Sequence, residues 1–299
     1  MTDPRALTGP RASEPRASEQ IDWVNCVPFL LVHVAAVAGA LLVGVSWKLA
    51  GLCAALYFVR MAGTTIGYHR YFSHRSFKTS RAFQFVLAFW AETSAQKGVL
   101  WWAAHHRVHH RFSDLECDVH SPKQGFFWSH VGWILSKSSA PTGEIKDFAK
   151  YPELVWLNEY HLLPPVLLAV ALFAIGGAPA LVWGFFVSTV LLWHGTFLVN
   201  SVNHVWGTRR YATTDTSRNN GLLALLTMGE GWHNNHHHYM SSANQGFFWW
   251  EVDLSYYLIR GMQLVGLVRD VRTPPARFLV PGAEPLVAAD EPRMTLDAA

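Results

Sequence analysis

The chain has 299 residues, 51% hydrophobic and only 15% charged, whereas ordinary soluble domains carry about 25% charged residues. That balance, with 14 Trp and 18 Phe, argues against a simple soluble domain and for a bilayer; a formal charge of +3 gives no ground for a nucleic-acid partner. Three widely spaced cysteines, Cys26, Cys53 and Cys117, form no CxxC or paired pattern, so no disulfide framework is implied.

Residues 1–22 repeat Pro-Arg-Ala-Ser-Glu twice and are short of large hydrophobes, so a disordered tail is expected, not a signal peptide. One membrane domain is expected over 23–272. Its first two spans are predicted at 27–45 and 49–68, joined at Ser46-Trp47-Lys48; each suits a hydrocarbon core of about 30 Å. The second carries a single charge, Arg60, and runs into the box His69-Arg-Tyr-Phe-Ser-His74. Ala82 to Ala95 is apolar but too short to cross, which predicts an interfacial or buried helix, with a re-entrant segment as the alternative. The box His106-Arg-Val-His109-His110 follows, then a polar, loop-rich segment over 112–150. Pro164-Pro165 lies at the start of a short third span, 162–177, about 24 Å long as a helix. Gly176-Gly177-Ala178-Pro179 predicts a hairpin turn into a fourth span, 180–199, leading to Asn200 and His204. The box His233-Asn-Asn-His236-His237 comes next, and 273–299 reads as a loosely ordered tail.

Eleven Lys/Arg lie between Arg70 and Lys150 and eight from Arg209 onward, against one at 46–48 and none in the Gly-Gly turn. The positive-inside rule then puts both termini and every histidine box in the cytoplasm.

Imidazole is the commonest neutral nitrogen ligand of transition metals. Positions i, i+3 and i+4 of a helix lie within about 100° of one another, so each HxxHH box is expected to aim three nitrogens at one point. His69 and His74, about 140° apart on an ideal helix, share a centre only if the helix ends or deforms between them. Asn200 and His204 face one direction, which leaves Asn200 in reach of a metal directly or through water. The candidate ligands are therefore His69, His74, His106, His109, His110, His204, His233, His236 and His237, too many for one ion and suited to two. Structural zinc usually recruits Cys and does no redox chemistry; an all-nitrogen pair beside a membrane suggests iron acting on O2, with copper as the second choice. His33, His161 and His194 read as non-ligands, His105, His130 and His238 as supporting contacts or ligands, and His120 as an orienting or docking residue.

The set HRYFSH, HRVHH and HNNHH, with Asn200 and His204 between the second and third, resembles the membrane fatty acyl desaturase family, and within it the stearoyl-CoA Δ9-desaturase branch. Gly125–Trp133, Asn200–His204 and Gly229–His237 extend the likeness, which covers roughly 25–265. The resemblance implies an all-α integral membrane fold: four transmembrane helices under a cytoplasmic helical cap, with a di-iron centre on the nine histidines and Asn200 contacting one iron through water. It implies an oxidoreductase that inserts a cis double bond, Δ9 by branch, into a saturated acyl chain using O2 and two electrons, with acyl-CoA as the favoured substrate. A separate electron carrier (ferredoxin, rubredoxin or cytochrome b5-like) and its reductase are implied as partners. By the same analogy Tyr57 and Met61 are candidates for the floor of a kinked acyl tunnel, and Trp101, Trp102 and Trp232 for its mouth.

One stretch departs from the animal acyl-CoA enzymes. Their Arg and Asp before the second box are replaced by Ala104 and His105, so CoA recognition by those contacts is not expected, and 96–105 is similar to bacterial members, which implies the bacterial inner membrane. Lys97, Arg70, Arg75 and Lys78 remain as basic residues able to attract a phosphate-bearing carrier. The competing readings are a related hydroxylase, acetylenase or decarboxylase, a desaturase acting on acyl-lipid, and, more remotely, a membrane metal transporter or sensor.

Overall fold

The computed structural model describes residues 20–115, 118–137 and 145–279. Most of the expected N-terminal tail, Cys117 and residues 280–299 lie outside them.

Helix α1 (Trp23–Val43) is almost wholly apolar and leaves much of its surface exposed. After a short break, the Ser46 hydroxyl accepts the Leu49 N–H (3.3 Å) and caps α2 (Trp47–Ala62). That helix does not stop at 68. It continues as a π-helical stretch, Gly63–Ser73, so Trp47–Ser73 is one 27-residue apolar helix. Arg60 is only 1% exposed and donates to Thr189 Oγ1 (2.7 Å), Ser188 Oγ (2.5 Å) and the Thr93 carbonyl (3.3 Å). A charge within a span thus turns into the protein and ties three helices together.

Ser80 caps α3 (Arg81–Glu92) through the Phe83 N–H, and the helix buries Gln84, Leu87, Ala88, Ala91 and Glu92. The expected interfacial or buried helix over 82–95 is therefore buried on one face, with Val86 exposed on another. A Cβ on Gly67 would lie 2.9 Å from Ala91 Cβ, and one on Gly63 would lie 2.9 Å from the Trp90 ring, so these glycines permit the close packing of α3 on the π stretch. Helix α4 (Val99–Phe112) is capped from outside: Glu92 accepts the Val99 N–H, and Asn158 accepts those of Leu100 and Trp101, all at 3.0 Å. Short helices α5 (Lys146–Ala149) and α6 (Pro152–Glu159) cover it.

Helix α7 (Leu163–Leu181) contains Gly177 at φ 62°, ψ −160°, a conformation that breaks it. A Cβ on Gly184 would lie 3.2 Å from Leu172, whereas twelve residues of straight helix would separate them by about 18 Å. The chain reverses here, as the Gly-Gly turn predicts. A π-helical turn, Val182–Val187, then leads into α8 (Ser188–Val205). Among the described residues, three stretches are long and apolar enough to cross a membrane: Cys26–Val43, Trp47–Ser73 and the hairpin-bearing Leu163–Val205.

Further elements are α9 (Gly221–Leu226), α10 (His233–His238) and α11 (Leu254–Leu264), with β1 (Lys78–Thr79) paired antiparallel to β2 (Val268–Arg269). Tyr211 donates to the Phe278 carbonyl (2.6 Å) and Phe278 is buried, so the described start of the C-terminal segment is anchored.

Candidate metal centre

Each histidine box owes its position to one helix end. The π stretch carries His69 and terminates at His74, whose N–H reaches back five residues to the His69 carbonyl (3.2 Å). Bonding at i+5 brings residues five apart toward one face, the deformation that joint service by His69 and His74 requires. Helix α4 supplies His106, His109 and His110, the end of α8 supplies His204, and α10 supplies His233, His236 and His237.

The nine gather as two adjacent groups. The nearest nitrogens of His69, His74, His106, His110 and His236 lie within 4.8 Å of one another, as do those of His109, His204, His233 and His237. This corrects the expectation that each HxxHH box aims at one point. Neighbouring positions diverge by about 100° on a helix, so the i, i+4 pair His106/His110 joins the first group while His109 joins the second. In α10 the pair His233/His237 serves the second group and His236 the first. Each HxxHH box bridges both groups, whereas His69 and His74 both serve the first.

In the first group, Nε2 to Nε2 distances are 2.9 Å (His69–His236), 2.8 Å (His74–His106), 3.0 Å (His110–His106) and 2.9 Å (His236–His110). Metal–nitrogen bonds of about 2.1 Å at right angles place neighbouring nitrogens about 3.0 Å apart, so the spacing fits a shared ion. In the second group His204 and His233 stand 3.1 Å apart, and His237 Nε2 is buried without a hydrogen-bond partner. The donor set fits metal in both groups. Burial, then the neighbouring imidazoles, holds His74, His106, His110, His233 and His236 well below the usual histidine range, in the neutral form that binds metal.

Carboxylates fix several rings from behind. Glu230 meets His69 Nδ1, Asp118 meets His109 Nδ1 (3.0 Å) and Asp215 meets His237 Nδ1 (2.6 Å). His204 Nδ1 faces Thr216 Oγ1 (3.1 Å) and Asp114 (3.5 Å). Such contacts leave Nε2 free to bind a metal and raise ligand basicity. His109 shows it: burial opposes its charge, but Asp118, with Asp215 and Asp114 behind it, outweighs burial and raises its pKa. His120 stands against Asp118 (3.5 Å), and burial drives its pKa down to about 3. Sequence reasoning gave these acids no role; the signals for them are the clustering of Asp114 and Asp118 after the second box and the place of Glu230 within Gly229–His237.

The fatty acid desaturase family pattern matches residues 45–260. The chain belongs to the fatty acid desaturase family. It is 38% identical over 273 residues to the sn-1 stearoyl-lipid 9-desaturase of Synechocystis, covering 89% of this chain and 84% of that one. The sn-2 palmitoyl-lipid 9-desaturase of Nostoc is 36% identical, covering 89% of this chain and 96% of its own. The acyl-CoA C20 Delta5-desaturase of Anemone leveillei is 38% identical, with 77% of this chain and 75% of that one covered.

Within this fatty acid desaturase, Asn200 is half-buried one turn before His204. Tyr57 donates to the Leu226 carbonyl (2.8 Å); a Cβ on Gly195 would lie 2.7 Å from the Tyr57 hydroxyl and 3.0 Å from Met61 Cε, which places both residues at the α2–α8 contact. Trp102 stacks on Tyr68 and on His106. Gln96 ties this layer together, donating to Thr196 Oγ1 (3.0 Å) and accepting from Trp102 Nε1 (3.4 Å). Trp101 lies instead against His105 and Trp133, while Trp232 donates to the Val252 carbonyl (2.9 Å).

The histidines outside the boxes have other partners. His33, His194 and His130 form a row, with nitrogens 3.1 and 3.0 Å apart, ending on Ser201 (3.0 Å). His105 meets the Trp101 carbonyl, His161 the Asn158 carbonyl, and His238 stacks on Tyr211. Arg70 is fully buried between Glu230 and Asp253 and cannot receive a carrier; it is a strut behind His69.

Proposed function

We propose that this chain is a membrane desaturase of the cytoplasmic membrane that introduces a cis double bond at Δ9 of a saturated chain carried on a membrane lipid. The observation that carries the reading is the pair of histidine groups at the ends of the apolar helices. The acyl-lipid choice departs from the acyl-CoA preference of the motif resemblance. It rests on the Synechocystis and Nostoc relatives, whose names specify lipid-bound chains and position 9. Acyl-CoA is the second reading, favoured by the Anemone relative at the same 38% identity as the Synechocystis enzyme.

The turn at Gly177 supports a four-span arrangement, with Leu163–Val205 entering and leaving the bilayer. The Lys/Arg distribution then favours a cytoplasmic cap, active site and termini. His69, His74, His106, His110 and His236 would hold one iron, and His109, His204, His233 and His237 the other, with Asn200 beside the second through water. When bound, the iron pair supplies O2 reduction by two external electrons and two protons, with removal of two vicinal hydrogens to leave a cis alkene and two waters. The protein's part is position: an unactivated methylene has no polar handle, so walls must set which carbons are presented. Trp102, held by Gln96 and stacked on His106, is suited to wall the reacting carbons, and Tyr57, Met61 and Gly195 are suited to close the far end. A separate one-electron carrier with its reductase supplies the electrons.

Expression in a host of known lipid composition, with mass spectrometry of the fatty acids in each lipid class, tests the proposal. A new Δ9 cis alkene appearing first in intact glycerolipid is expected. Only hydroxylated or shortened chains would defeat the desaturase reading, while first appearance in acyl-CoA would select the second carrier.

A further inference from the structure

Away from the histidines, a cavity of about 150 Å³ opens beside the β1–β2 ribbon. Arg75, Lys78, Lys150, Arg269 and Arg272 line it, together with Gln84. Against the five cations stand Asp147 and Asp270. Asp147 is held through both oxygens by buried Arg107 (3.0 and 2.8 Å), and Asp270 is paired with Lys78 (3.0 Å). The cavity therefore has excess positive charge on a rigid frame. Arg269 is fixed by pairing with Lys78, and Arg272 by backbone bonds to Ser76 and Ala243. Gln84 is 4% exposed; its Oε1 accepts from the Tyr71 hydroxyl (2.9 Å), while its amide nitrogen is buried with no hydrogen-bond partner.

We propose that this cavity binds a phosphate group, and that its source is the headgroup of an anionic membrane phospholipid. Its volume far exceeds what one water needs, guanidinium forks match phosphate oxygens, and Lys adds point charge. The lipid source follows from placement. β1 leads into α3, Tyr151 into α6, and β2 follows α11. All three helices expose apolar side chains: Val86, Trp156, and Leu258 with Leu264. The basic cavity thus adjoins the starts of α3 and α6 and the strand after α11, three helices that each expose apolar side chains, which suits a lipid whose chains stay in the bilayer while its phosphate reaches the protein. This site lies outside the histidine groups and does not depend on which chain is desaturated.

The test uses the full-length protein, delipidated in detergent, with the paired substitution K150Q/R269Q and the charge-conserving K150R/R269K. Native mass spectrometry follows retention of phosphatidylglycerol, and heat stability is read with inorganic phosphate and with coenzyme A, after circular dichroism shows equal helicity. Wild type and K150R/R269K should retain one phosphatidylglycerol that K150Q/R269Q binds about ten-fold more weakly or loses. Protection of wild type, but not K150Q/R269Q, by inorganic phosphate or coenzyme A without lipid retention would keep the phosphate site and overturn its lipid source. Equal behaviour of wild type and K150Q/R269Q, both correctly folded, toward all three probes would overturn the site itself. If K150Q/R269Q misfolds, phosphatidylglycerol binding by K150R/R269K decides: its absence counts against the site.

Discussion

Asp215 touches one histidine and no candidate metal position, yet its contact with His237 Nδ1 is the closest carboxylate contact to the second group (2.6 Å). Burial opposes its charge, but the contacts with His237 and Ser217 outweigh burial and hold its carboxyl well below the usual carboxylate range. Asp215→Asn keeps the size and removes the charge; metal bound per chain is expected to fall with a 10- to 100-fold loss of affinity. Metal titration followed by mass spectrometry checks this, and unchanged affinity would reduce Asp215 to a packing role. Glu92 makes the opposite kind of prediction. It is fully buried, its Oε1 accepts the Val99 N–H, its Oε2 has no partner, and burial raises its pKa to about 8. The folded chain therefore holds this proton more tightly than the unfolded chain. Its stabilising effect is full below about pH 4.5 and is lost as pH rises toward 8. Glu92→Gln keeps the acceptor for Val99 and should raise the melting temperature at pH 8.5 while leaving it nearly unchanged at pH 5. The histidines were legible because a repeated HxxHH is rare without chemistry; Asp215 and Glu92 were not, because an isolated acid in a sequence carries no mark of what burial will place beside it.

At the scale of elements, Gly177 decides whether 163–205 is a rod or a hairpin. Its φ of 62° with ψ of −160° belongs to a region that side chains other than glycine's avoid. Gly177→Ala is expected to destabilise the turn by about 1–3 kcal/mol, lowering the melting temperature while the far-UV helical signal stays nearly constant. A neutral result would mean the turn is set by Pro179 instead. The sequence made this turn readable through its Gly-Gly-Ala-Pro run and the spans through their apolarity. It did not show the π-helical continuation of α2 to Ser73, because bonding at i+5 follows from the tight packing of Gly63 and Gly67 against α3 and not from local propensity. The splitting of each HxxHH box between two groups escaped for a related reason: helical spacing fixes the divergence of His109 from His110, but only the opposing helix α10 supplies a partner for each direction.

For the whole molecule, the candidate centre is also a stability element with a pH dependence of its own. Without metal, His74, His106, His110, His233 and His236 are buried among one another and resist protonation, whereas in the unfolded chain they take protons near pH 6.5. The unfolded state then binds more protons below pH 6.5, and stability falls as pH falls, by about 1.4 kcal/mol per pH unit for each histidine that titrates only on unfolding. Glu92 gives the opposite slope between about pH 4.5 and 8, outweighed by the histidines below pH 6.5 and unopposed by them above it, so the metal-free protein should be most stable near neutrality. Metal adds stability by binding the folded state alone, and protons compete with it for the same nitrogens, so its contribution also weakens in acid. Chelator-treated and iron-loaded protein, melted in detergent from pH 5 to 9, should therefore differ most at neutral pH and converge toward pH 5. Glu92→Gln should flatten the alkaline limb in both preparations and leave the acid limb intact. Equal melting temperatures with and without iron at pH 7 would mean that the nine histidines do not hold the fold together through a metal, and would return the two groups to ordinary packing.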